Sequence, residues 1–97
     1  MKYSLCLDPL FEGYDYYDKA KLAAEIGYDG IELWKAAEAD PSKMRRVCEE
    51  SGIRTAAFVC GNAWVCHMSA PPRTVLQNLE EYLRVAKELD AEALLLM

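Results

Sequence analysis

Glu32 stands between two aliphatic residues in Gly30-Ile31-Glu32-Leu33-Trp34, and that isolation makes it a candidate for chemistry. Ile31 and Leu33 alternate as a strand requires, so a pleated strand turns Glu32 to the opposite face. A carboxylate at a strand's carboxyl end can accept a hydrogen bond from a hydroxyl group or, with its pKa shifted, move a proton. Bonded to a neighbouring strand or a lysine, the same carboxylate is only structural. Trp34, two residues on, offers an indole face for stacking, or fills an apolar interior. Asn62 and His67 fall in the stretch 61–70, the longest non-periodic segment, and loops that follow strands commonly carry ligand contacts.

The thiols raise a second possibility. Cys60, Cys66 and His67, with Cys6 at another strand exit, are ligand types that suit zinc. Their spacing argues against it. Five residues separate Cys60 from Cys66, the adjacent pair Cys66-His67 matches neither a finger nor a ribbon, and His67 is the single histidine. The expectation is no metal site in this chain, with reduced or idle thiols and a loop histidine. Covalent catalysis lacks support, because no serine stands in an elbow motif and no base accompanies a cysteine. Gly27 and Gly30 read as a helix stop and a strand position, not as a phosphate cradle.

The elements that must position these residues repeat one pattern. Lys2 to Asp8 alternates, with Tyr3, Leu5 and Leu7 on one face and Ser4, Cys6 and Asp8 on the other, until Pro9 ends the strand. Asp15 reads as the N-cap of a helix running to about Ile26, with Tyr16, Ala20, Ala23 and Ala24 on its buried stripe. Gly27 closes that helix and the second strand follows. Asp40-Pro41 caps and opens a second helix carrying Met44, Val47 and Cys48, and Gly52 ends it before the third strand. Pro71-Pro72 opens a third helix with a continuous apolar stripe of Val75, Leu76, Leu79, Tyr82, Leu83, Ala86 and Leu89. Asp90 stands where the earlier units have glycine, and Asp tolerates the left-handed conformation. The expected strands are about 2–8, 28–34, 53–60 and 91–97. The order β-α-β-α-β-α-β, with short connections and near-continuous apolar strands, predicts an α/β fold with a parallel sheet and right-handed crossovers. Whether such a sheet curls toward a barrel or lies open is left undecided by the pattern.

Composition bounds the function. The 97 residues fit one domain, and 53% hydrophobic with 28% charged residues argues against disorder. A net charge of −5 makes a nucleic-acid backbone a poor partner. No apolar run approaches the ~20 residues needed to span a bilayer. The amino terminus lacks a signal-like apolar region, so the chain is expected to be cytoplasmic.

Certain stretches resemble a known family. Cys6-Leu7-Asp8-Pro9-Leu10-Phe11, Gly27 through Trp34, Gly52-Ile53, and Arg73 through Ala91 with its Val85-Ala86-Lys87-Glu88-Leu89 core resemble the xylose isomerase-like TIM barrels, nearest to hydroxypyruvate isomerase and related small-sugar isomerases. A complete barrel has eight strands and about 250 residues. The resemblance therefore implies a partial, half TIM barrel, the amino-terminal half as a single truncated domain over residues 1–97. It also implies metal-assisted proton transfer between adjacent carbons of a small sugar or hydroxy acid, through Glu, Asp, His and Glu of later strands. This chain would then be inactive alone, with Glu32, Trp34, Asn62 and His67 as substrate-binding candidates, and the divalent ion belonging to the complete barrel. The family's apurinic endonuclease branch takes a histidine at the exit of the third strand, where this chain has Val59-Cys60-Gly61-Asn62. Open sheet edges and an uncovered inner face predict a homo-oligomer. The alternative is a self-associating structural or small-molecule-binding α/β module without catalysis.

Overall fold

Four short strands alternate with three helices: β1 (Ser4–Cys6), α1 (Tyr16–Ile26), β2 (Gly30–Leu33), α2 (Pro41–Ser51), β3 (Arg54–Val59), α3 (Pro72–Leu89) and β4 (Ala93–Leu95). The computed structural model describes residues 1–35, 39–59 and 71–95. The strands form one sheet in the order β1-β2-β3-β4, every pair parallel. Each strand lies beside the next in sequence, so right-handed crossovers carry all three helices over the same face.

Local chemistry sets the helix boundaries. The Asp15 side chain accepts from the Asp18 N–H, and Asp40 accepts from the Lys43 N–H, both at 2.8 Å. These bonds satisfy backbone donors that a helix leaves unpaired at its start. Pro41 and Pro72 open their helices with a residue that has no N–H to lose. At the far ends, Gly27, Gly52 and Asp90 take left-handed conformations with φ of 107°, 72° and 54°. Each turns its backbone N–H back onto carbonyls of the last helical turn.

The core lies between the sheet and the helices. Leu7, Ile31, Leu33 and Phe58 from the sheet pack with Ala20 and Ala23 of α1, Met44, Val47 and Cys48 of α2, and Leu89 of α3. Alanines on α1 allow it to lie close to the strands. The Phe58 ring meets Tyr82 with centroids 6.3 Å apart at 47°, which ties α3 to β3. Thr55 is buried on this side too, its hydroxyl 3.9 Å from the Cys48 sulfur.

In several places the elements differ from the expected pattern. At the amino-terminal end of β1 a bond of another kind takes over from the ladder, and positions 60, 96 and 97 of the expected strands lie outside the described residues. Tyr3, predicted within β1, lies outside it and is exposed; its N–H donates to the Asp29 carboxylate at 3.0 Å. The apolar stripe predicted for α3 is wider than the surface that helix meets. Tyr82, Val85, Ala86 and Leu89 pack on the core, whereas Leu76 and Leu83 remain 61% and 46% exposed. Finally, Thr55 pairs with Ile31 but Ala57 pairs with Glu32, so Ala56 is an extra residue in β3. A bulge of this kind bends its strand and adds twist.

Candidate functional site

Parallel strands place their carboxyl ends together, and the groups with chemical potential gather at the ends of β1 and β2. In register, Ser4 pairs with Gly30 and Cys6 with Glu32. Because Ile31 and Leu33 are turned into the helix-side core, Ser4, Cys6, Gly30 and Glu32 share the other face. The Glu32 carboxylate accepts from the Ser4 hydroxyl at 2.5 Å, a short bond of the charge-assisted kind. Glu32 remains half-buried, so one edge of the sheet face carries a carboxylate oriented by a serine. The predicted turn of Glu32 away from the core is what the fold produces.

Beyond Cys6 and Glu32 the pairing of β1 with β2 ends. The Leu7 N–H donates to the Glu32 carbonyl at 3.0 Å, the last bond joining the two strand exits directly. Trp34 lies just past the end of β2 and is 54% exposed. Its backbone N–H donates to Asp8 Oδ2 at 2.6 Å, and the Tyr16 hydroxyl donates to Asp8 Oδ1. Sequence reasoning gave Asp8 no role. Its one signal was an acid at a strand exit immediately before proline.

Lys19 was also missed. It is 9% exposed in the first turns of α1, with Nζ donating to the Leu7 carbonyl at 3.1 Å and lying 5.4 Å from the centre of the Tyr16 ring. Burying an ammonium requires such partners. Here they anchor α1 to the end of β1, beneath the loop that carries Asp8.

Cys6 sits among these charges. Burial pushes its thiol above the ordinary range, and the nearby Asp8 and Glu32 carboxylates add to the effect. The Asp8 backbone N–H and Lys19 oppose it. The balance keeps Cys6 a protonated thiol at neutral pH, a weak donor and not a nucleophile.

Among the described residues, no three His, Cys, Asp or Glu side chains stand together so as to hold a metal ion. Both Asp8 oxygens and one Glu32 oxygen are already taken by Tyr16, Trp34 and Ser4. The described donor set therefore does not fit the divalent ion that the resemblance implies. Asn62 and His67, with Cys60 and Cys66, lie outside the described residues, as does the exit of β3 used to weigh the endonuclease branch.

A cavity of about 450 Å³ opens at the opposite, amino-terminal end of the sheet, among Tyr3, Ser4, Asp29, Gly30, Arg54 and Glu92. Arg54 and Glu92 form an exposed ion pair there at 3.1 Å, joining β3 to the start of β4. In barrels of parallel strands this end serves stability, and reactions take place at the other. Among the described residues, no helix is long and apolar enough to cross a membrane.

No protein-family model matches the sequence, and no curated protein matches it. Solved structures do resemble it. One is the AP endonuclease, family 2, from Brucella melitensis, with a TM-score of 0.84 at 19% identity over 99% of this chain and 40% of that one. A xylose isomerase-like TIM barrel/4-hydroxyphenylpyruvate dioxygenase fusion protein gives 0.77 at 20% identity, over 99% of this chain and 16% of that one. A xylose isomerase domain containing protein from Salmonella typhimurium LT2 gives 0.71 at 19%, over 95% and 35%. This chain thus spans less than half the length of each. Its four parallel strands in sequential order, alternating with helices, have the fold of part of a TIM barrel, as in these structures.

Proposed function

We propose that this chain forms one wall of the substrate site in a xylose isomerase-like barrel, as its amino-terminal half, and that the complete barrel isomerises or epimerises a small sugar or hydroxy acid. The observation that carries the proposal is the Glu32 carboxylate. It lies on the sheet face away from the helices, on the residue before the last of β2, and accepts from the Ser4 hydroxyl at the start of β1 at 2.5 Å. With one oxygen engaged by serine, the carboxylate can accept a hydroxyl of a polyol with the other. Trp34, two residues further along and exposed, carries an indole that suits the apolar face of a sugar ring.

Isomerisation between adjacent carbons needs a base and acid working on the two carbons and a group that polarises the carbonyl. Glu32 and the protonated Cys6 do not make such a set. The proposal accordingly assigns the divalent ion and the proton-transferring carboxylates to further barrel strands, and expects this chain to be inactive alone. A net charge of −5 speaks for a small ligand over a nucleic acid. The four thiols of the chain fit a reducing compartment such as the cytoplasm.

Calorimetric titration of the chain with D-xylulose and with hydroxypyruvate, repeated on Glu32→Gln, tests the reading. Binding by the unaltered chain that weakens roughly tenfold in the variant is expected, as for loss of a hydrogen bond to a charged group. Equal affinity of the two proteins would remove Glu32 from the site. Turnover of either compound by the chain itself in the presence of Mg²⁺ or Mn²⁺ would overturn the assignment of catalysis to other strands.

A second reading is a self-associating module without catalysis. It draws on the exposure of Leu76 and Leu83 on α3 and of Leu95 on β4, a strand with one ladder partner among the described residues. A homodimer at micromolar concentration in sedimentation supports it, and a stable monomer counts against it.

A further inference from the structure

Asp8 gives its two carboxylate oxygens to two different elements. Oδ1 accepts from the Tyr16 hydroxyl on the first turn of α1, and Oδ2 accepts from the Trp34 backbone N–H at 2.6 Å. The Trp34 amide lies just past the end of β2, where strand pairing has stopped. The path of the chain at the indole is therefore set by a side chain and not by the sheet. Tyr16 in turn sits under the Lys19 ammonium, which is buried and bonded to the Leu7 carbonyl. The order of support runs from α1, through Asp8, to Trp34.

We propose that Asp8 is a positioning residue for the ligand wall: it holds the exit of β2, and with it the Trp34 indole, in place relative to the Glu32 carboxylate. This rests on the reading of Glu32 and Trp34 as ligand-facing. Asp8 does not itself meet the ligand; it acts through Trp34. A carboxylate suits the task because it offers an acceptor to each of two donors, and bonds to an ionised acceptor are the stronger ones. An amide of the same shape presents an NH₂ group to one donor and breaks that bond.

Hydrogen exchange of individual backbone amides, followed by NMR on the chain, tests the proposal together with titration by D-xylulose. In Asp8→Asn, the Trp34 amide should exchange roughly tenfold faster or more, while the Ile31 and Leu33 amides keep their protection. The affinity for D-xylulose should fall roughly tenfold with the urea midpoint nearly unchanged, a split that a merely structural role does not produce. Asp8→Glu, which keeps both acceptors, should recover part of the affinity. Unchanged exchange at Trp34 in Asp8→Asn overturns the proposal, and so does unchanged affinity. Should Asp8→Asn fail to fold, Tyr16→Phe decides: a smaller acceleration confined to Trp34 supports the proposal, and none overturns it. If the unaltered chain binds no D-xylulose, the ligand-wall reading fails, while the Trp34 exchange still decides whether Asp8 holds that exit.

Discussion

Gly30→Ala is the most informative single substitution in the sheet, because the outcome follows from distances alone. Gly30 is buried in β2, with Ser4 beside it on β1 and Arg54 on β3. A Cβ at this position would stand 3.2 Å from the Ala56 Cβ, 3.3 Å from the Arg54 carbonyl oxygen and 3.4 Å from the Ser4 Cβ. The Gly30 backbone is not left-handed, so alanine meets no conformational strain, and its lower chain entropy favours folding by about 0.5–1 kcal/mol. Against that stand three tight contacts from both neighbouring strands, one of them a backbone oxygen that cannot rotate away. Overpacking of this kind costs about 1–3 kcal/mol. The net expectation is a loss of about 1–2 kcal/mol, which lowers a urea midpoint by about 1 M at the slope usual for small domains. Urea unfolding followed by far-ultraviolet circular dichroism reads it. Ala56→Gly removes the closest contact, so in that background the cost of Gly30→Ala should shrink by about 0.5 kcal/mol or more. A neutral or stabilising Gly30→Ala, or strict additivity of the two changes, would refute the close approach of β1, β2 and β3 at this point.

Phe58→Ala empties a fully buried site between β3 and α3 and should cost about 3–5 kcal/mol, measured by the same unfolding curve. Asp40→Ala removes the cap bond to the Lys43 N–H and should cost about 1 kcal/mol; Asp40→Ser should restore most of it. Burial pushes the Cys48 thiol above its ordinary range, more than the Thr55 hydroxyl lowers it. With the folded-state value raised, the folded chain holds this proton more tightly than the unfolded one. Stability from Cys48 is then complete below the ordinary thiol range and falls as pH rises through and above it. Unfolding at pH 7 and pH 9.5 should show that loss, and Cys48→Ala should reduce it. Alkylation of Cys48 by iodoacetamide at pH 7 should be slow while the chain is folded.

Much of the fold was legible because it is written locally. Asp15, Asp40 and Pro41 announce helix starts, and Gly27, Gly52 and Asp90 announce ends, since each acts on backbone groups only a few residues away. The alternation of Ile31, Glu32 and Leu33 was enough to turn Glu32 from the core. What escaped the sequence depends on partners far along the chain. Asp8 bonds to Trp34 across 26 positions, and no local pattern signals that an acid before a proline will hold the exit of another strand. Lys19 looks like a surface lysine on an amphipathic helix, and it is buried because the Leu7 carbonyl and the Tyr16 ring receive it. Leu76 and Leu83 fit an apolar stripe by spacing, yet they remain exposed, because spacing marks an apolar face and not what packs on it. The extra residue at Ala56 leaves no mark in a run of small residues, since register is a property of two strands and not of one.

Which end of the sheet meets a ligand is the central question, and one measurement addresses it directly: the map of backbone amide shifts when D-xylulose is added to the isotopically labelled chain. The account predicts movement at Cys6 to Asp8 and Ile31 to Lys35, centred on Glu32 and reduced in Glu32→Gln. Movement confined to Lys2, Tyr28, Asp29, Arg54 and Glu92 would locate binding in the cavity at the amino-terminal end and contradict it.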